Sequence, residues 1–282
     1  MHRHTSGNTS NQHNTMLDKT REAWQASDSM VCVGLDPDPN RIPEHLLETD
    51  HPYFEFCRAI IDATAEYACA FKPQFAHFAA AGREADLALV FDYLNNRYPD
   101  RLAILDAKRG DIGSTARMYA LEAFERYGAD AVTVNPYLGK ESLAPYLEYS
   151  GRGVIVLCRT SNPDSVWMQG ELSGDAVFMK VARAVQDWQA GQFMLVTGAT
   201  YPKELGAIRE VAPDVPFLVP GIGAQGGDLA AVLQHGLDQS GRGLLISSSR
   251  GIIYAQGEGD FQQNAAVAAA ELKQQIHELS NS

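Results

Sequence analysis

The sequence predicts an α/β protein with a single (β/α)8 TIM barrel. Eight short apolar segments that suit buried strands alternate with segments of helical periodicity along the chain. The length of 282 residues fits one such domain, because barrels of this type commonly contain about 250 residues. A doubly wound open sheet is the alternative, but it would seldom need eight such regular units.

The predicted strands are short and apolar, several are rich in β-branched residues, and turn residues follow most of them. Two of them run into proline, at Lys72-Pro73 and Asn135-Pro136, where the chain is biased away from helix. In chain order, the predicted strands span 30–35, 68–71, 101–108, 129–134, 153–158, 193–196, 216–219 and 243–246.

The predicted helices carry apolar residues three and four positions apart, the spacing that places them on one helix face. One helix follows the third strand, and we expect Ser114 or Thr115 to cap it. Its apolar residues are Met118, Tyr119, Leu121 and Phe124. The other helices span 17–25, 53–67, 84–95, 142–149, 176–188, 204–211, 229–234 and 260–279.

The first 15 residues differ from the rest of the chain. They are polar, rich in His, Asn, Thr and Ser, and they lack the apolar core of a signal peptide. We expect residues 1–15 to be a disordered extension or an appended tag, and residues 16–282 to form the barrel. Scattered histidines in such a segment seldom bind metal, and we expect no metal site in the protein.

Composition excludes several classes of partner. A net charge of −12 argues against nucleic acid and against anionic membranes, so an anionic ligand must be held by a local cluster of basic side chains and backbone N–H groups. No apolar run is long enough to span a membrane. The four cysteines show no metal-binding or redox spacing, which favours a cytoplasmic protein in a reducing compartment.

The stretch 105–115 carries charge at the end of an apolar strand. Asp106 and Lys108 are two residues apart, and such residues share one face of a strand. Asp111 follows after a glycine that allows a sharp turn. A solvated turn with incidental charges is the ordinary explanation, but an acid and a base on the same face of an apolar strand are costly unless they are paired or used. We therefore predict a catalytic site at this junction.

Two loops near the end of the chain predict a phosphate site. The segment 221–228 contains four glycines just before a helix, which exposes backbone N–H groups to an anion, although a tight turn would also use glycine. The segment 247–251 adds hydroxyls and the guanidinium of Arg250. Phosphate sites in this fold are often shared by the loops after strands seven and eight. Polar residues at or just after predicted strand ends are Asp36, Lys72, Asp106, Lys108, Ser161, Gln225 and Arg250.

The combination of strand-end motifs resembles the orotidine 5'-phosphate decarboxylase family from about Met16 to the last helix. The motifs are Gly34-Leu35-Asp36, Phe71-Lys72-Pro73, Asp106-Ala107-Lys108-Arg109-Gly110-Asp111, Pro220-Gly221-Ile222-Gly223-Ala224-Gln225-Gly226-Gly227 and Ser249-Arg250-Gly251. Asn135-Pro136-Tyr137 and Arg159-Thr160-Ser161-Asn162-Pro163 resemble the longer bacterial subgroup of this family. The segment 164–173 falls outside the pattern, and we assign it no role.

The resemblance implies cofactor-free conversion of orotidine 5'-monophosphate to UMP and carbon dioxide in pyrimidine biosynthesis. It implies that Lys108 protonates C6 of the pyrimidine while Asp106 faces the departing carboxylate and positions Lys108. Lys72 would complete the charged array, and Asp111 would reach across the interface of a homodimer. The implied substrate contacts are Asp36 and Thr115 to the ribose, Ser161 to the pyrimidine, and Gln225 and Arg250 to the phosphate, with Pro220 in the same substrate-binding set.

Two other functions remain open at this point. A metal-dependent sugar-phosphate enzyme, such as a keto-gulonate phosphate decarboxylase or a hexulose phosphate synthase, uses the same Asp-x-Lys-x-x-Asp pattern. A non-catalytic phosphate-binding barrel would keep the phosphate loops without the chemistry. The four intact residues Lys72, Asp106, Lys108 and Asp111 argue against the second alternative.

Overall fold

The computed structural model describes residues 15–172, 174–188, 191–222 and 226–281. Residues 1–14 of the predicted extension lie outside these ranges. Thr15, the last residue of that extension, caps the first helix: its hydroxyl accepts a hydrogen bond from the backbone N–H of Asp18. Thr15 is therefore the N-cap of the helix with which the predicted barrel segment begins.

Parallel strands close into an eight-membered barrel within the described ranges. Each strand pairs with its neighbours in chain order, and the last pairs with the first, so the sheet has no open edge. This result confirms the predicted (β/α)8 architecture. The barrel strands are β1 (Val31–Leu35), β2 (Ala70–Pro73), β3 (Leu102–Arg109), β4 (Ala131–Val134), β5 (Gly153–Arg159), β6 (Phe193–Thr197), β7 (Phe217–Pro220) and β8 (Leu244–Ser248).

Helices connect the strands and pack around them. The longer ones are Met16–Ser27, Pro52–Thr64, Glu84–Arg97, Gly113–Leu121, Val177–Trp188, Pro202–Val211, Leu229–Gly236 and Phe261–Ser280. Helices of one turn that the periodicity did not predict are Glu44–Leu47, Phe75–Ala79, Val166–Gln169 and Arg250–Ile253. Ala144–Leu147 replaces the longer helix predicted over 142–149, and the 3-10 turns are Pro136–Leu138, Lys140–Ser142 and Pro163–Ser165. A small antiparallel hairpin pairs Glu171–Leu172 with Asp175–Ala176.

The prediction that Ser114 or Thr115 caps the helix after β3 is wrong. The N-cap of this helix is Ile112, and both Ser114 and Thr115 lie in its first turn, so neither hydroxyl caps the helix. Asp111 Oδ1 accepts a hydrogen bond from the Ile112 backbone N–H at 2.8 Å. A carboxylate one residue before the cap thus satisfies a backbone donor near the start of this helix. The helix continues into a π turn, Glu122–Arg126.

The same helix exposes apolar side chains that its periodicity suggested would be buried. Met118 is 55% exposed and Leu121 is 40% exposed, whereas Ala116 and Ala120 are buried. The buried face of this helix is therefore formed by small residues. An apolar face is therefore left towards solvent next to Asp111.

The core fills the barrel and the layer between the barrel and its helices. Every residue of β1 and of β4 is buried, as expected for parallel strands that are covered on both faces. Lys72, Asp106 and Thr133 are also buried, and all three lie towards the carboxyl ends of their strands. None of the helices in the described ranges combines the length and apolar character needed to span a lipid bilayer.

Candidate active site

A cavity of about 470 Å³ opens at the carboxyl ends of the barrel strands. This is the end of a (β/α)8 barrel at which active sites are found. Part of the lining is apolar and is formed by Leu157, Val196, Leu218 and Pro220. The polar lining consists of Lys72, Asp106, Lys108, Thr133, Thr160, Ser161, Asn162 and Gln169.

The carboxylate of Asp106 lies between two ammonium groups. Lys72 Nζ is 2.8 Å from Asp106 Oδ2, and Lys108 Nζ is 2.7 Å from Asp106 Oδ1. Lys72 and Asp106 are almost fully buried, whereas the side chain of Lys108 is 47% exposed to the cavity. The array therefore exposes one ammonium, that of Lys108, to a bound molecule. The buried Asp106 carboxylate contacts this ammonium, and Lys72 contacts the other oxygen of that carboxylate.

Two opposing effects determine the pKa values of this array: burial disfavours the charged forms, and attraction between the opposite charges favours them. Burial alone would raise the pKa of the Asp106 carboxyl, but the ammonium groups of Lys72 and Lys108 outweigh it and hold that pKa well below its usual range. Burial also opposes the charged form of Lys72, yet the carboxylates of Asp106 and Asp36 raise its pKa above the usual value. Asp106 and Lys72 are therefore both charged at neutral pH.

The backbone at Lys108 is not that of a regular strand. The register between β3 and β4 shifts between Leu105 and Arg109, and Lys108 has a φ of 46°, in the left-handed region. Thr133 Oγ1 accepts hydrogen bonds from the backbone N–H groups of Ala107 and Lys108 and donates one to Asp106 Oδ1. Our sequence analysis missed Thr133, whose only signal was one hydroxyl within an apolar strand.

The loop after β5 is fixed by side chains that the sequence analysis also missed. Arg159 is 1% exposed, pairs with Glu204 and donates to Ser165 Oγ and to the Thr160 carbonyl. Gln169 Oε1 accepts from the backbone N–H of Thr160 at 2.9 Å. These bonds hold the chain on either side of Ser161, which lines the cavity. The segment 164–173, to which we assigned no role, thus supplies two of the groups that shape this loop.

Asp36 follows β1 and faces the loop after β8. Asp36 Oδ2 accepts a hydrogen bond from Ser249 Oγ at 2.7 Å, while Oδ1 is buried without a hydrogen-bond partner among the described residues. Such an acceptor is costly unless a ligand donates to it. The approach of the two loops requires Gly34, because a Cβ there would lie 2.7 Å from Ser249 Cβ.

The two predicted phosphate loops lie after β7 and β8. Gln225 lies outside the described residues, but the ends of its loop are joined, since the Gly227 N–H donates to the Gly221 carbonyl at 3.1 Å. A Cβ at Gly227 would come within 2.5 Å of Ala199 Cβ, so a larger residue has no room there. Arg250 begins the helix Arg250–Ile253, is exposed, and has no ion-pair partner within the described ranges.

A protein-family model matches residues 29–260 of this sequence, and its description reads orotidine 5'-phosphate decarboxylase / HUMPS family. The chain belongs to this family. The match confirms the resemblance that we found in the strand-end motifs.

Members of the orotidine 5'-phosphate decarboxylase / HUMPS family align along almost the whole chain. An orotidine 5'-phosphate decarboxylase of Dechloromonas aromatica (strain RCB) is 50% identical over 266 residues, which cover 93% of this chain and 98% of that protein. One from Aromatoleum aromaticum is 51% identical over 261 residues, with coverage of 91% and 96%. A structure of Leishmania donovani OMP decarboxylase superposes with a TM-score of 0.83 at 37% identity, covering 95% of this chain and 100% of that one.

The chain described here does not bring all the predicted site residues into one cavity. Lys72, Asp106, Lys108, Ser161 and Pro220 line the cavity. In contrast, Asp111 forms no ion pair with either lysine of the array within the described ranges, and its only hydrogen bond there is from the next residue. Thr115 is exposed on the same segment and does not line the cavity. In this chain, therefore, neither Asp111 nor Thr115 lines the cavity.

Proposed function

We propose that this protein converts orotidine 5'-monophosphate to UMP and carbon dioxide in de novo pyrimidine biosynthesis, without a cofactor. The observation that carries the proposal is the Asp106 carboxylate held between Lys72 and Lys108 at the mouth of the barrel. The relatives described above are all named orotidine 5'-phosphate decarboxylase, so a sugar-phosphate enzyme of the same barrel group is not favoured. The four cysteines are free and buried, which fits the proposed cytoplasmic location.

In the proposed reaction the bond between C6 and the carboxylate breaks, and its electron pair stays on C6. The ammonium of Lys108 donates a proton to C6, which becomes the C6–H of UMP. Asp106 holds the ammonium of Lys108 in place through a hydrogen bond, and its own negative charge opposes a substrate carboxylate beside it. The apolar side chains of Leu157, Val196 and Leu218 solvate a carboxylate poorly and suit the neutral carbon dioxide that leaves.

The lysine array alone cannot account for the catalysis that such a reaction needs. Two unit charges 4 Å apart are worth about 4 kcal/mol at an effective dielectric of 20. Enzymes lower barriers by about 8–23 kcal/mol in typical cases. Binding energy from the phosphate and ribose must therefore be used to orient the pyrimidine over Lys108.

The remaining contacts in this proposal are to the ribose, to the pyrimidine edge and to the phosphate. Asp36, whose Oδ1 has no hydrogen-bond partner among the described residues, accepts a hydrogen bond from a ribose hydroxyl, and Ser161 contacts the pyrimidine edge. Arg250 and Gln225 bind the phosphate. The hydrogen bond from Ser249 to Asp36 links the ribose contact to the phosphate loop, so binding of one group supports binding of the other.

Purified protein is expected to consume orotidine 5'-monophosphate, and a chelator should leave the rate unchanged. The physical reason is that Lys108 supplies both the positive charge and the proton at C6, so no metal ion is needed. Loss of the substrate's ultraviolet absorbance measures the rate. Activity that disappears with chelator and returns with a divalent metal would instead support the metal-dependent alternative.

We also propose that the protein is a homodimer and that Asp111 enters the site of the partner. Exposed apolar side chains lie on the segment that follows Asp111 and on the segment after β4: they are Ile112 (51% exposed), Met118 (55%), Leu121 (40%), Tyr137 (73%) and Leu138 (46%). The two segments that carry them are joined where the Asn135 N–H donates to the Arg109 carbonyl at 2.7 Å. Several exposed apolar side chains near an acid that forms no ion pair within the described ranges suit a protein interface, because contact with a second copy would bury them.

Mixing two inactive variants tests the shared site. Lys108→Ala and Asp111→Ala proteins are unfolded together and refolded, so that half of the dimers contain one chain of each kind. Each mixed dimer has one site with both lesions and one site with neither. We expect roughly a quarter of the wild-type activity to return, since half of the dimers carry one good site in two.

A mixture of Lys108→Ala with Asp106→Ala is the control for this experiment. These two residues contact each other within one chain, so every site in a mixed dimer keeps one lesion and activity should not return. If the first mixture stays inactive although mixed dimers are shown to form, Asp111 serves its own subunit.

A further inference from the structure

The hydroxyl of Thr133 forms hydrogen bonds both to the acid of the array and to the backbone that carries Lys108. Thr133 lies on β4, is 1% exposed and lines the cavity. Its hydroxyl accepts from the Ala107 N–H at 3.0 Å and from the Lys108 N–H at 2.9 Å, and donates to Asp106 Oδ1 at 2.9 Å. A hydroxyl has one donor and two acceptor sites, so its hydrogen-bonding capacity is fully used here.

These bonds replace the regular strand pairing at the point where it fails. Between Leu105 and Arg109 the register to β4 shifts, and the backbone N–H groups of Ala107 and Lys108 bond to a side chain of β4. Lys108 is also in the left-handed region, with φ 46°. That conformation is unfavourable for a non-glycine residue and persists only where its surroundings hold it.

The left-handed turn determines where the Lys108 ammonium points. Because of that turn, Lys108 Nζ reaches Asp106 Oδ1, the same oxygen that accepts from Thr133. Asp106 Oδ2 is held separately by Lys72. The hydroxyl of Thr133 therefore holds two groups: the backbone from which the Lys108 side chain starts, and the Asp106 carboxylate that its ammonium reaches.

We propose that Thr133 is a positioning residue for proton transfer to C6. It does not touch the reacting atoms; it acts by holding the Lys108 backbone and the Asp106 carboxylate in one geometry. This inference rests on the proposed decarboxylation. The competing explanation is that Thr133 is only a β-branched residue that fills space in a buried strand, a role that valine would serve.

Two variants of Thr133 separate the effect of the hydroxyl from that of packing. Thr133→Val keeps the shape and removes the hydroxyl, whereas Thr133→Ser keeps the hydroxyl and removes a methyl group. We expect Thr133→Val to lower kcat about 30- to 100-fold and Thr133→Ser to stay within about threefold of wild type. The dissociation constant of UMP should change less than about threefold in both, because phosphate and ribose contacts are untouched.

Thr133→Ala provides a second comparison if the valine variant does not fold. Alanine and serine differ by one hydroxyl, so their ratio of kcat values measures the same effect without added bulk. Thr197→Val is the matched control: Thr197 is fully buried on β6, and its hydroxyl has no partner within the described ranges. Its activity should remain within about twofold of wild type, since no hydrogen bond is lost.

A crystal structure of Thr133→Val tests the geometry without any activity. We expect the Lys108 backbone to leave the left-handed region and its ammonium to move away from Asp106 Oδ1. Unchanged geometry over residues 106–108 in Thr133→Val, or a kcat of Thr133→Val within threefold of wild type, would overturn the inference. A serine variant as impaired as the alanine variant would overturn it too. If the wild-type protein does not decarboxylate the nucleotide, the proposed function fails, and the structural comparison still decides whether Thr133 holds Lys108.

Discussion

Lys108→Ala is expected to abolish turnover of orotidine 5'-monophosphate while leaving the binding of UMP largely intact. Lys108 is the ammonium of the array that is exposed to the cavity, and in the proposed reaction it is the proton donor to C6. Lys72 cannot replace it, because Lys72 is buried and its ammonium is held against Asp106 Oδ2. No other lysine lines this cavity among the described residues.

The expected loss of kcat is at least about 10⁴-fold, because a positioned acid and a positioned charge each contribute about 10²-fold or more. The rate is measured under saturating substrate, and UMP binding is measured by titration of the same protein. Lys203→Ala, at an exposed position on the helix Pro202–Val211, serves as the control and should behave as wild type. Turnover of Lys108→Ala within tenfold of wild type would remove Lys108 from this role.

Arg250→Ala is expected to lower kcat/KM for the nucleotide about 10³-fold, which corresponds to about 4 kcal/mol of lost binding to the phosphate. Arg250 is exposed at the end of β8 and has no ion-pair partner in the described part of the chain, so its guanidinium is available to an anion. The phosphate is remote from C6. Its binding energy therefore helps catalysis only by orienting the substrate.

The same variant should barely change the slow decarboxylation of orotidine, the nucleoside that lacks the phosphate. Arg242→Ala is the matched control, because Arg242 precedes the opposite end of β8 and pairs with Asp28. It should leave the rates with both substrates unchanged. Equal losses for the nucleotide and the nucleoside in Arg250→Ala would mean that Arg250 acts on the ring or on folding.

The barrel was predictable because its signal is local. Each strand is a short apolar run, and each long helix has its own periodicity, so every unit can be recognised without knowing its neighbours. The errors lie where a few residues decide the conformation. Ser114 and Thr115 are suitable caps by residue type, yet Ile112 is the N-cap, and Asp111 bonds to its N–H.

The candidate site was predictable in its position but not in its internal contacts. Charged residues at strand ends pointed to the carboxyl end of the barrel, and five of the predicted residues line the cavity there. The argument that Asp106 and Lys108 share a strand face does not describe how they meet. They meet through a register shift and a left-handed backbone, neither of which residue types alone reveal.

The sequence by itself determined the alternation of strands and helices, the family, and the strand ends at which charge and glycine collect. Only the tertiary structure decided which groups come within hydrogen-bonding distance. Thr133 meets Asp106 across 27 residues of chain, and Lys72 meets it across 34, because neighbouring strands pair in a particular register. A hydrogen bond is made or lost over less than 1 Å, whereas sequence patterns locate a residue only to a face or an end of its element.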